Sequence, residues 1–177
     1  MTEKIRWGIL GPGKIAHSFA KDLALVTDGH LVGVASRTLK KAEAFAKEYD
    51  AEFAFGSYEE LLISKEVDVI YIATPHTGHM EWAIKAMQKG KHVLCEKPLG
   101  INLAEVEKMQ MVATENNVFL MEALWSRFNP SIIKIKELID NGEIGNVGYL
   151  HADFGFYGLD KAEDGRLYRT RRRVEAL

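Results

Sequence analysis

The sequence is poor in the residues that mark several protein classes. It holds one cysteine in 177 residues, so no disulfide can form within the chain, and no zinc-type Cys/His spacing surrounds Cys95; no metal is expected. A reducing, cytoplasmic setting follows. Four prolines are too few for a rigid spacer, and neither a low-complexity linker nor an internal repeat is present. Neither charge sign dominates: 23 Lys+Arg against 25 Asp+Glu give a net charge of -2, which speaks against a nucleic-acid binder and against attraction to an anionic membrane. Long apolar runs are also missing, and the polar start, Met1 to Arg6, reads as neither signal peptide nor membrane span. What is there, 47% hydrophobic and 27% charged residues, is the mixture of a globular domain long enough to bury a core.

Short apolar runs alternate with amphipathic stretches, the signature of βαβ units and a parallel sheet. Strands are expected at Ile5–Leu10, Leu31–Ser36, Glu52–Phe55, Val67–Thr74, His92–Cys95 and Val118–Glu122. The fourth is almost unbroken Val, Ile and Tyr, as at a sheet centre. Ile15, Phe19 and Leu23, with Ala16, Ala20 and Ala24, give the first helix its sheet-facing side. Thr38 is placed to cap the second helix, while Ser57 with Glu60 and Asn102 with Glu105 have capping-box spacing. Gly90 stands where a helix starting near Thr77 must end. Beyond Pro130 the period changes: a helix over Ser131–Asn141, a stop at Asn141-Gly142, and a half-buried antiparallel strand over Gly148–Gly158. The expectation is a doubly wound α/β dinucleotide-binding domain over residues 1–125, then the incomplete start of a second, α+β domain over 126–177.

Four places carry chemistry. Gly11-Pro12-Gly13-Lys14-Ile15-Ala16 follows a strand and opens a helix, the context in which G-x-G-x-x-A means dinucleotide binding: tight turn, close backbone approach, and free helix N–H groups for a pyrophosphate. At the end of the second strand an NAD site normally shows an Asp or Glu, but this chain reads Ser36-Arg37-Thr38 with Lys40 and Lys41 close behind. A 2′-phosphate suits that set, so NADP is favoured over NAD; the competing reading is an ordinary solvated helix start. Thr74-Pro75-His76 and Glu96-Lys97-Pro98 fall at the carboxyl ends of the fourth and fifth strands, where doubly wound folds bind ligands. Held there with its ammonium partly desolvated, Lys97 would serve as a proton partner or alkoxide stabiliser. A surface turn with an exposed Glu96–Lys97 ion pair is the alternative. His76 and His79 either bond a ligand or begin the next helix. Trp125 and Arg127 offer a stacking surface and a cation, or else pack at the domain junction. Cys95 reads as a small apolar strand residue, since nothing around it beyond Lys97 would activate a thiol.

Taken together, Gly11-x-Gly13-x-x-Ala16, Ser36-Arg37, Thr74-Pro75-His76 with His79, Glu96-Lys97-Pro98 and Trp125-x-Arg127-Phe128-x-Pro130 resemble the glucose-fructose oxidoreductase/inositol dehydrogenase family (Gfo/Idh/MocA), and within it the dihydrodiol and NADP-dependent D-xylose dehydrogenases. The resemblance implies an NADP-linked oxidoreductase moving a hydride between nicotinamide and a carbinol carbon of a sugar or cyclic diol. It implies Lys97 as the group that orients the reacting hydroxyl, Arg37 as the 2′-phosphate grip, and His76, His79, Trp125 and Phe154 as lining of the nicotinamide and substrate pocket. It also implies a second domain used for substrate contacts and homo-oligomer formation. One departure stands out. Where the family continues into a Gly-rich stretch and a Tyr or His proton donor, residues 166–173 hold five arginines and no Tyr or His follows Tyr168. That segment reads as a truncation or a shifted reading frame, which leaves the chain impaired or inactive. A genuine basic tail for a partner, or a cofactor-sensing module without turnover, are the competing readings.

Overall fold

The computed structural model describes residues 4–153 and residue 155. Six parallel strands form one sheet: β1 Ile5–Leu10, β2 Gly29–Ala35, β3 Phe53–Phe55, β4 Val69–Ile72, β5 His92–Cys95 and β6 Leu120–Glu122. Their order is β3-β2-β1-β4-β5-β6. The order reverses between β1 and β4, so the chain diverges from the two central strands at one point of the carboxyl edge.

Helices α1 Lys14–Leu23, α2 Leu39–Tyr49, α3 Tyr58–Ile63, α4 His79–Met87 and α5 Leu103–Glu115 cover the sheet. Side-chain alternation splits the core in two. Ile9, Val34 and Tyr71 meet Ala16, Ala20 and Leu23 of α1 and Ala42, Phe45 and Ala46 of α2. Leu10, Ile70, Ile72, Val93 and Cys95 meet Leu61 of α3, Ala83, Ala86 and Met87 of α4, and Met109 and Val112 of α5. The stripe on α1 is therefore Ala16, Ala20 and Leu23; Ile15, expected on it, is 45% exposed, because it lies beside the glycine turn rather than over the sheet.

The caps follow the sequence signals with one shift. Ser57 accepts from the Glu60 N–H at 3.3 Å and Asn102 from the Glu105 N–H at 3.0 Å. The returning carboxylates reach one residue further than in a standard box: Glu60 takes the Gly56 N–H and Glu105 the Ile101 N–H, each at 3.1 Å. Thr38 stands at the N-cap of α2 without a side-chain cap bond. Gly90 has φ +72°, the left-handed geometry that ends the α4 segment before β5. At the amino edge of the sheet Arg6 grips Asp68 with two bonds of 3.0 and 2.7 Å, while Lys91 donates to the carbonyls of Ser64 and Val67.

By compactness the chain divides into residues Met1–Arg127 and Phe128–Leu177. Within the second unit, α6 spans Pro130–Asp140, capped by Asn129, whose side chain accepts from Ser131 N–H at 2.9 Å, and Gly142 beyond it has φ +74°. The strand expected over Gly148–Gly158 is absent from its described part: residues 148–153 form no ladder and are exposed. Phe154 and residues 156–177 lie outside the described residues.

Candidate dinucleotide and active site

Strand register brings the candidate residues onto one edge. Leu10 pairs with Ala35 and Ile72, Ile72 with Cys95, and Cys95 with Glu122. The residues just past that row are Gly11, Ser36, Ala73-Thr74 and Glu96-Lys97, so motifs far apart in sequence line the carboxyl ends of neighbouring strands.

Gly11 has φ +96°, and a Cβ there would stand 3.3 Å from the carbonyl carbon and oxygen of Ala73. Only glycine suits that turn. A Cβ at Gly13 would meet nothing within 4 Å among the described residues, so the space they leave beside it is open. Gly13 is the N-cap of α1; no side chain caps the helix and its first turn has no acidic residue. The Ala16 N–H bonds the Gly13 carbonyl at 3.0 Å, which leaves the N–H groups of Lys14 and Ile15 and the positive end of the dipole for an anion. Ala16 is fully buried, letting the helix close on the sheet, and Lys14 and Ile15 are exposed beside the turn.

At the end of β2, Ser36 is buried and its Oγ accepts from the Thr38 N–H at 3.4 Å. Arg37, Thr38, Lys40 and Lys41 are exposed, and α2 carries no acid in its first turn. The strand end is basic and free of carboxylate.

The ends of β4, β5 and β6 are fastened together. His79 is 1% exposed; its Nδ1 lies 2.8 Å from the Pro98 carbonyl oxygen and its Nε2 3.0 Å from that of Thr74. Both nitrogens therefore face the protein, and His79 shapes the site rather than offering a free bond to a ligand. His76 opens a single 3-10 turn, His76–Gly78, and is exposed, as is Pro75. Glu96 is half-buried and accepts the Tyr71 hydroxyl at 2.6 Å and the Lys97 N–H at 3.3 Å. Glu122 accepts the Leu99 N–H at 2.8 Å. Lys97 itself is exposed; the expected desolvation of its ammonium is not found, because the turn around it is held through backbone groups and not by covering the side chain. Burial, followed by the charges of Glu96 and Glu122, pushes the Cys95 thiol up to about 12, which keeps it an inert core group. Trp125, 64% exposed, and Arg127 share a short 3-10 turn after β6.

Tyr71 and Glu122 were not among the residues expected here. Tyr71 looked like one more residue of a buried strand. The available signal for Glu122 was its place, a carboxylate closing the sixth strand in register with Cys95.

One buried polar atom is also unpaired. The Thr74 hydroxyl is among the described groups with no hydrogen-bond partner, in a residue only 8% exposed; buried hydroxyls are ordinarily paired. An uncapped helix start and the open space at Gly13 fit a dinucleotide.

The family described as "Oxidoreductase family, NAD-binding Rossmann fold" (GFO_IDH_MocA) matches residues 5–124. The chain belongs to this family. Gfo/Idh/MocA relatives include a trans-1,2-dihydrobenzene-1,2-diol dehydrogenase of Mus musculus, 44% identical over 154 residues, 86% of this chain and 46% of the relative. A Xenopus tropicalis protein of the same name is 40% identical over 166 residues, 92% of this chain and 50% of its own. The chain thus spans about half the length of the curated relatives it matches. Among solved structures, KijD10, a 3-ketoreductase from Actinomadura kijaniata in complex with TDP-benzene and NADP, aligns with TM-score 0.75 and 31% identity over 81% of this chain and 46% of that one. The scyllo-inositol dehydrogenase from Lactobacillus casei, with bound NAD(H) and scyllo-inositol, aligns with TM-score 0.76 and 27% identity over 81% of this chain and 43% of its own. The chain is of an NAD(P)-binding oxidoreductase family.

Proposed function

We propose that residues 1–125 form the cofactor domain of an NADP-dependent dehydrogenase acting on a carbinol carbon of a cyclic dihydrodiol or a sugar, and that residues from 126 begin its substrate and association domain. The observation that carries the cofactor choice is the basic, carboxylate-free end of β2, with Arg37 exposed beside buried Ser36. Arg37 presents a planar fork to a 2′-phosphate, with Thr38 and Lys41 alongside. Gly11, Gly13 and the first turn of α1 hold the pyrophosphate. Thr74, Pro75, His76 and Glu96 border the remaining edge, and Trp125 and Arg127 belong to the same set.

When bound, the nicotinamide supplies a hydride acceptor or donor at its C4. The protein's part is to hold the substrate. Lys97, on a turn fixed by Glu96, His79 and Glu122, orients the reacting hydroxyl through its Nζ, steadies the negative charge developing on oxygen and keeps the proton near it. The dihydrodiol class is supported by the names of the relatives at 39–44% identity. A buried reduced cysteine supports a cytoplasmic setting.

Parallel titration of the chain with NADPH and NADH tests the cofactor reading; tighter binding of NADPH is expected, and preference for NADH overturns the role of Arg37. Assays with a trans-dihydrodiol and with xylose then test the substrate. Turnover of the diol or the sugar supports the dehydrogenase and overturns the reading that this chain is impaired; NADPH binding with turnover of neither is the outcome for an impaired dehydrogenase and for a sensor module alike, and activity restored on joining the chain to the second half of a relative then decides for the dehydrogenase.

A further inference from the structure

The Tyr71–Glu96 pair is built more firmly than a surface carboxylate needs. Tyr71 lies in the middle of β4, 2% exposed. The Phe19 ring of α1 stacks on it with centroids 3.8 Å apart and planes 16° from parallel, and Trp7 meets Phe19 edge-on at 5.4 Å. The tyrosine has little freedom to move. Its hydroxyl points to the carboxyl edge and donates to Glu96 Oε1 at 2.6 Å, while Oε2 takes the Lys97 N–H at 3.3 Å. Burial, and after it the adjoining Glu96, push the Tyr71 pKa upward, so the hydroxyl stays a donor and Glu96 acts as the accepting carboxylate.

The position of that carboxylate gives it a consequence for the cofactor. In a doubly wound sheet with the pyrophosphate on the β1–α1 turn and the adenosine ribose at the end of β2, the other half of the dinucleotide falls across the switch point, toward the ends of β4 and β5. Glu96 stands at that edge. An oxidised nicotinamide carries a positive charge and a reduced one does not, so a fixed anion there distinguishes the two redox forms.

We propose that Tyr71 is a positioning residue which anchors the Glu96 carboxylate as a fixed negative charge at the nicotinamide end of the site, tilting cofactor affinity toward the oxidised form. The proposal rests on the reading that the chain binds NADP. One charge acting across several ångströms of partly solvated protein corresponds to about tenfold in affinity.

The test is calorimetric titration of the 177-residue chain with NADP+ and with NADPH, for the parent and for Tyr71→Phe, Glu96→Gln and Glu96→Asp. Glu96→Gln is expected to weaken NADP+ about tenfold relative to NADPH. Tyr71→Phe and Glu96→Asp keep the charge but lose or lengthen the anchoring bond, and are expected to shift the ratio the same way by roughly threefold; the Asp variant carries the test should the Phe variant fail to fold. Merely structural damage weakens both forms equally, and that outcome, or an unchanged ratio in Glu96→Gln, overturns the proposal while leaving the NADP reading intact. A parent chain that binds neither form overturns both.

Discussion

His79 Nδ1 lies 2.8 Å from the carbonyl oxygen of Pro98, which ties the first residue of α4 to the turn that follows β5. With Nε2 3.0 Å from the Thr74 carbonyl, one imidazole joins the two turns that carry the candidate site. Backbone bonds of the sheet reach only to Ala73, whose N–H donates to the Leu10 carbonyl at 2.9 Å, and to Glu96, whose N–H donates to the Ile72 carbonyl at 3.0 Å; Thr74 and Pro98 lie beyond them.

Replacing His79 by leucine removes the ring N–H that these carbonyls can accept from and sets an apolar group against them in a buried place. A loss of roughly 2–4 kcal/mol in unfolding free energy is expected, read by urea denaturation. Glutamine, whose amide NH2 can donate to a carbonyl, is expected to recover part of it. Equal stability of the leucine variant and the parent would show that the imidazole is not what joins the turns.

The strand assignments came from local pattern and needed little correction, because six apolar runs separated by capped helices leave few alternatives. The long fourth run, Val67–Thr74, shortens to Val69–Ile72 because its ends turn away from the ladder while Val67 and Thr74 stay buried in packing. Glycine turn, basic strand end and Glu-Lys-Pro turn were legible for the same reason: each is contiguous. The Tyr71–Glu96 bond spans 25 positions and the His79–Pro98 contact 19, and no local period encodes either. Lys97 is exposed where partial burial is expected, since a lysine leaving a buried strand need not itself be covered. The helical period aligns Ile15 with Phe19 and Leu23, but the buried line of α1 runs through Ala16, Ala20 and Leu23 and leaves Ile15 at its margin.

Acid should weaken the amino edge. The Arg6 guanidinium, bonded to Asp68 at 3.0 and 2.7 Å, holds the Asp68 carboxyl below its usual value. The folded pKa is thus lower than the unfolded one, so the contribution is fully present above the unfolded value near 4 and disappears as pH falls through the folded value. Both side chains are about one-third exposed, at 32% and 36%, which limits the effect to about 1 kcal/mol. Asp68→Asn should lower Tm at pH 7 by a few degrees and flatten the decline of stability between pH 5 and pH 2. A decline as steep as the parent's would assign the acid sensitivity to other carboxylates.

Cys95 gives a probe of opening. It is fully buried with its thiol raised to about 12, so at pH 8 almost none is thiolate and none is accessible. Labelling by a thiol reagent is expected to follow the unfolding rate and to slow with NADPH, by linkage. Rapid labelling of the native chain, independent of denaturant, would contradict the burial.

The two glycines of the phosphate turn should separate stability from binding. Gly11→Ala forces a Cβ into a backbone with φ +96° and to 3.3 Å from the Ala73 carbonyl; a destabilisation of about 1–2 kcal/mol is expected before any ligand is added. Gly13 has φ -94° and ψ -177°, extended backbone open to alanine, and among the described residues nothing beyond its chain neighbours lies within 4 Å of the new Cβ. Gly13→Ala should therefore melt within about 0.5 kcal/mol of the parent. The same methyl occupies the space through which a pyrophosphate reaches the start of α1, so NADPH affinity is expected to fall by at least tenfold, a loss of about 1.4 kcal/mol. Melting curves with and without NADPH read both quantities on one sample. If Gly13→Ala binds as tightly as the parent, the open space beside Gly13 is not where the phosphates lie.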